Sequence, residues 1–139
     1  MNYLLDTCTL SELMKRIPEK KVVNWIDGCP EDTLYISVLT LGEIQKGISK
    51  STDPHKKHRL QTWLDADLRE RFSGRVLSID SDVALAWGQI LGECSSRGIA
   101  IQTIDGLLGA TAIVHNLTVV TRKTGDIEKT GARLLNPWE

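Results

Sequence analysis

The stretch "IDGLLGATAIVHNLTVVTRKTGD", Ile104–Asp126, decides the fold. Its first half carries a helical pattern over 104–115, with Thr103 as the expected cap and Asn116 as the stop. Its second half opens on "LTVVT" (117–121), rich in Val and Leu with no polar alternation, as in a strand buried on both faces. A crossover helix that feeds a parallel strand starts at the carboxyl edge of the sheet. Asp105, in the first turn of the helix, and Asp126, in the "RKTGD" that follows the strand, therefore belong to one rim. Gly106 and Gly109 lie inside the helical pattern, where each costs about 1 kcal/mol relative to Ala. Close approach of a backbone or a ligand, or helix–sheet packing, would explain that cost.

Working outward, four more apolar runs match this strand: "YLL" (3–5), "LYISV" (34–38), "RVLSI" (75–79) and "ARLL" (132–135). Helical patterns separate them at 9–16, 19–27, 39–50, 56–72 and 81–97. Strands alternating with helices argue for an α/β sandwich around a mainly parallel sheet. Pro54 suits the first turn of the long 56–72 helix, Ser81-Asp82 opens the next, and Gly98 is its expected stop. No repeat or linker divides residues 1–139, which read as one domain.

Composition excludes several classes. Apolar residues make up 41% and charged residues 25%, within the globular range. The net charge of −1 announces no polyanion binder, although a local patch suffices for one. Cys8, Cys29 and Cys94 are odd in number and widely spaced. They form neither a disulfide framework nor a zinc pattern, and they fit a reducing cytoplasm. The start of the chain lacks a basic segment followed by an apolar one, and no run reaches the roughly eighteen apolar residues of a membrane span.

The acids carry the chemistry. In open α/β sheets ligands bind beyond the carboxyl ends of the strands. Asp6 follows "YLL", Glu43 sits in the first turns of the helix after "LYISV", and Asp105 and Asp126 share that edge. Taken singly, Asp6 reads as a helix cap, Asp105 as a partner of the helix dipole, Glu43 as a solvated side chain and Asp126 as a turn residue. Taken together, they repel unless a cation or proton intervenes. An oxygen-only donor set suits Mg²⁺ or Mn²⁺. Such an ion on carboxylates serves phosphodiester hydrolysis.

The motifs "YLLDTCTLSEL", "SVLTLGEIQKG" and "IDGLLGATAIVHNLTVVTRKTGDI" resemble, in order and over nearly the whole chain, the PIN-domain family, specifically toxin ribonucleases of the VapC type. The family's acids carry over to Asp6, Glu43, Asp105 and Asp126. Its S…T-x-x-E…G stretch falls on Ser37, Thr40, Glu43 and Gly47. Its D-x-x-I/L-A-A-x-A…H stretch falls on Asp105, Leu108, Gly109, Ala110, Ala112 and His115, with Gly109 in place of an alanine. The resemblance implies a three-layer PIN-like fold whose five-stranded parallel sheet has order 3-2-1-4-5. It implies a metal-dependent endoribonuclease acting on structured RNA, commonly tRNA or ribosomal RNA. It also implies a homodimer, and a cognate antitoxin through which alone DNA is met. Two positions depart from the pattern: Cys8 stands where Asn or Ser is usual, and Lys123 replaces Asn, with Ile127 for Phe. An ammonium at Lys123 would pair with Asp126, displace a second cation or contact the scissile phosphate.

On this reading Asp6 and Asp105 hold Mg²⁺ (or Mn²⁺), Glu43 binds it directly or through water, and Asp126 completes the set or serves a second ion. Thr7 and Thr121 orient the carboxylates or water. Arg122, Lys123, Lys46 and Lys50 form the RNA-binding rim, while "HKKHR" (55–59) reads as a solvated helix start and His55/His58 lack the partners of a zinc site. Trp25, Trp63 and Trp87 read as packing residues. The 9–27 segment and the 56–72 helix offer an apolar groove for an antitoxin helix, from which an Arg would reach the acids. The alternative is a silent PIN-like module that binds RNA or a partner without cleaving. A dehalogenase-type phosphatase needs a second Asp where Cys8 stands, and a receiver domain needs an Asp where Leu39 stands.

Overall fold

A computed structural model describes residues 1–139. Five strands, β1 (Asn2–Leu5), β2 (Leu34–Ser37), β3 (Val76–Leu77), β4 (Leu117–Val120) and β5 (Arg133–Leu135), form one sheet of order β3-β2-β1-β4-β5. Every neighbouring pair is parallel, with Tyr3 opposite Leu34 on one side of β1 and opposite Thr118 on the other. The order expected from the resemblance is the order observed. β1 and β4 occupy the middle, so the chemistry they deliver leaves from the centre of the carboxyl edge.

Helices cover both faces, which is why the central strands are mostly apolar, with Leu4, Leu5, Leu34, Ile36, Val119 and Val120 all fully buried. Leu4 and Leu5, adjacent in β1, are both fully buried but enter different cores. Leu5 and Val120 join Leu10, Val22, Ile26, Ile44, Ile48 and Phe72 on the face covered by α1 (Thr7–Leu13), α2 (Lys20–Asp27), α3 (Val38–Lys50) and the rod that begins with α4 (Pro54–Thr62). Leu4 and Val119 join Leu108, Ala112, Leu117 and Ile127 on the opposite face. The small residues of α7 (Thr103–His115) let that helix lie close to the sheet, with α6 (Ser81–Ser96) packed outside it.

The helix ends follow local chemistry, with three shifts from the expected pattern. α1 begins at Thr7 rather than residue 9, because Asp6 itself is the N-cap and accepts from the Thr7 N–H. α7 begins at Thr103, with Gln102 at the N-cap position making no side-chain cap. The 56–72 helix begins at Pro54 under an Asp53 cap and continues through a π-helical turn, Trp63–Leu68, into α5 (Arg69–Arg71). Asn116 ends α7 with φ of 56°, a left-handed geometry that Asn tolerates. α8 (Gly125–Glu128) is a single turn leading towards β5.

The two glycines inside α7 are explained by packing. A Cβ at Gly109 would clash with Thr130 Oγ1 and meet Thr130 Cβ at 2.7 Å, so the segment after α8 approaches α7 only because no side chain intervenes. At Gly106 the neighbours are Leu91 and Trp87 of α6. Trp25 packs edge-on against Tyr3 with ring centroids 4.9 Å apart, and Trp63 packs on the same core. No helix is long and apolar enough to cross a membrane.

Candidate active site

The turn from β1 into α1 explains how Asp6 is held. The strand ends at Leu5, and the helix N-terminus faces the next side chain, where a carboxylate is favoured. Asp6 is buried, and both of its oxygens have protein donors. Oδ1 accepts from the Thr7 N–H at 2.7 Å. Oδ2 accepts from the Thr121 hydroxyl at 2.8 Å and lies 3.7 Å from Cys8 Sγ. Capping and site-building are therefore one role for Asp6. Thr9, fully buried, donates instead to the Val120 carbonyl and ties α1 to the end of β4.

Thr7 donates its hydroxyl to Glu43 Oε1 at 2.6 Å, which joins the start of α1 to α3. Glu43 is one turn into α3, whose start is fixed by Ser37 accepting from the Leu39 N–H. The expected supporting side chains, Thr7 and Thr121, thus each contact one acid. Cys8 occupies the gap between them. Its sulfur lies 3.6 Å from Thr121 Oγ1 and accepts from the Arg122 N–H.

Asp105 differs from Asp6. Burial pushes its carboxyl above the ordinary carboxylate range. The negative charges of Asp6, Asp126 and Glu43 push it the same way, and Lys123 partly offsets them. The group that interacts with all three other acids is therefore the one the protein leaves unpaired. Asp126 is committed elsewhere: Oδ1 accepts from Lys129 Nζ at 2.9 Å and Oδ2 from the Gln102 N–H at 3.0 Å. Lys129 holds the Asp126 carboxyl below its ordinary range. Lys129, and not Lys123, is the ammonium paired with Asp126. Nothing in the sequence pattern singled out Lys129, although its i,i+3 spacing from Asp126 was a readable signal.

Glu12 was also missed. It is buried, accepts from Lys15 Nζ, the Glu19 N–H and Trp138 Nε1, and so binds the turn after α1 to the end of the chain. Arg122 stacks on that same Trp138, with its guanidinium 5.4 Å from the ring centre. Lys46 and Lys50 lie beside Glu43 along one recess with Thr7 and Ile104.

No three His, Cys, Asp or Glu side chains converge tightly enough to form a ready-made cation cage. The donor set nonetheless fits a hard divalent cation. Asp6, Glu43 and Asp105 offer only carboxylate oxygens, and their mutual repulsion at Asp105 is the field that such a cation relieves.

Comparison with known proteins decides the family. A family model described as PIN domain matches residues 3–131. The chain belongs to the PIN-domain family. Within it, the chain is 33% identical over 136 residues to the VapC ribonuclease Y4jK of Sinorhizobium fredii, covering 98% of this chain and 97% of that one. It is 35% identical over 135 residues to the toxin FitB of Neisseria gonorrhoeae, covering 97% of each. The FitAcB crystal structure from Neisseria gonorrhoeae superposes with a TM-score of 0.93 at 34% identity over 99% of both chains. This PIN domain is thus of the VapC and FitB type, with Asp6 at the N-cap of α1, Glu43 in α3 and Asp105 in the first turn of α7.

Proposed function

We propose that the chain is the toxin of a toxin–antitoxin pair, a Mg²⁺- or Mn²⁺-dependent endoribonuclease that cleaves structured RNA and so blocks translation in the cytoplasm. One observation carries the reading. Asp6, Glu43 and Asp105, from distant parts of the chain, share one electrostatic site at the centre of the sheet edge. The ribonuclease and toxin relatives support the same activity. A relative from Salmonella typhimurium, 25% identical over 138 residues with 99% of this chain and 98% of that one covered, is named a tRNA(fMet)-specific endonuclease, which makes tRNA the substrate to test first. The relative named toxin FitB supports the toxin role, which brings with it an antitoxin as the proposed partner and a homodimer as the expected assembly.

Asp6, Glu43 and Asp105 would hold the cation. A bound divalent ion supplies Lewis acidity towards a phosphoryl oxygen and eases deprotonation of the attacking water. Thr121 keeps Asp6 in one rotamer and Thr7 keeps Glu43 facing it. The RNA is met by cations. A groove of about 810 Å³ runs outward from Thr7 and Glu43 and is lined by Arg16, Lys50, Lys56 and Arg59. None of these four is in an ion pair. Their charge is left for phosphates of a strand leaving the site. The "HKKHR" segment is a solvated helix start, as expected, but two of its residues wall this groove.

The test uses purified chain free of antitoxin, with total tRNA and Mg²⁺ or Mn²⁺. Cleavage abolished by EDTA, by Asp6→Ala and by Asp105→Ala is the expected result. Cleavage unaffected by all three overturns the metal-nuclease reading. An inactive wild type that gains activity in Lys123→Asn supports a silent binding module instead.

A further inference from the structure

α7 carries Asp105 in its first turn but has no cap of its own, since the Gln102 side chain makes no capping bond. The leading N–H groups of a helix need partners, and a neighbouring acid commonly bonds the N–H of the cap residue itself. Here that acid comes from another element. Asp126 Oδ2 accepts from the Gln102 N–H at 3.0 Å. Asp126 Oδ1 accepts from Lys129 Nζ, and Lys129 also reaches the Ala100 carbonyl at 3.4 Å. The pair thus grips residues 100 and 102, just before Asp105, and the Lys129 ammonium neutralises the Asp126 carboxylate, whereas the donors to Asp6 (the Thr7 N–H, the Thr121 hydroxyl and the Cys8 thiol) are all neutral. The carboxylate of Asp126 also places negative charge at the positive end of α7.

We propose that Asp126 and Lys129 are a clamp of positioning residues that fixes the start of α7 and so aims Asp105, with Asp126 outside the set of cation ligands; this rests on the metal-nuclease reading. Asp126 then differs in role from Asp6 and Asp105, although all four acids occupy one edge. Gly109 belongs to the same arrangement, because the segment after α8 sits against α7 through Thr130.

The experiment titrates the full chain with Mn²⁺ and measures amide hydrogen exchange across residues 100–106 in wild type, D126N, D126A, K129M and D105N. Asn keeps an oxygen for the Gln102 N–H, so D126N retains Mn²⁺ affinity within about twofold and keeps that amide protected. D126A removes the acceptor, so the Gln102 amide exchanges faster and Mn²⁺ binds about tenfold more weakly, as when support for a ligand is lost. K129M shifts both readouts in the same direction by a smaller amount. The clamp is overturned if D126N binds Mn²⁺ as weakly as D126A with unchanged exchange. It is equally overturned if K129M tightens Mn²⁺ binding, because a freed carboxylate would then be joining the cation. If D126A does not fold, D126N and K129M still decide. If D105N leaves Mn²⁺ binding intact, the metal reading fails, while exchange at Gln102 still reports separately on the clamp.

Discussion

Replacing Thr121 by Val tests whether the Asp6 carboxylate is held by its surroundings. Val keeps the shape of the side chain and removes only the hydroxyl. Thr121 is fully buried, and its hydroxyl donates to Asp6 Oδ2 at 2.8 Å. A hydrogen bond to a charged acceptor contributes about 1.5–3 kcal/mol, and an acceptor left buried without it keeps its desolvation cost. Oδ2 would retain only the weak contact with Cys8 Sγ at 3.7 Å. The Lys123 N–H, which donates to Thr121 Oγ1 at 3.0 Å, would also lose its partner, at a cost of about 0.5–1 kcal/mol because water reaches this rim. The expected loss is about 2–4 kcal/mol, or roughly 6–14 °C in Tm for a chain of this size. Urea unfolding of the single variants Thr121→Val and Asp6→Asn and of the double variant gives the coupling, expected at about 1 kcal/mol or more. Repeating the series with Mg²⁺ should show a smaller cation-induced stabilisation in Thr121→Val than in wild type. A stability loss under about 0.5 kcal/mol, or additive single effects, would refute the claim that Thr121 holds Asp6.

Gly109→Ala should destabilise despite its better helix propensity: overpacking against Thr130 costs about 1–3 kcal/mol or more and exceeds the roughly 1 kcal/mol gain. Thr130→Gly, which removes the obstructing Cβ, should recover the loss in the double variant, read by thermal melts. For Asp105 the folded carboxyl binds its proton more tightly than in the unfolded chain, so the native state loses stability as pH rises through that raised value. Asp105→Asn should therefore raise stability at neutral pH without divalent cations. That advantage should vanish in acid, where Asp105 is protonated in both states; a pH series of melts decides it. Lys56→Gln with Arg59→Gln should weaken RNA binding and flatten the dependence of log K on log salt by about 1–2. Mn²⁺ affinity should stay unchanged in that variant, whereas an unaltered salt slope would remove RNA from this groove.

Much of this molecule is legible along the chain because its signals are local. Continuous apolar runs such as "LTVVT" mark strands buried on both faces, and the helices between successive strands make the sheet parallel. That alone places Asp6, Glu43 and Asp105 at one edge, since parallel strands share a carboxyl end. Helix starts are less legible, because an end can be satisfied from another element. Thr103 was an attractive cap for α7, but the helix includes it, and the bond to the cap residue comes from Asp126 in a different element.

By itself, then, the sequence determined the fold class, the strand order through its family resemblance, and which edge bears the acids. Only the tertiary structure decided what each acid does. Asp105 is raised by burial and by like charges, while Asp126 is lowered by Lys129, and nothing in the identity of an Asp predicts either outcome. A carboxylate's behaviour is set by donors and charges within a few ångströms. Lys129 is near Asp126 in sequence, but Thr121 for Asp6 and the Gln102 N–H for Asp126 come from residues distant in sequence, which only packing brings together.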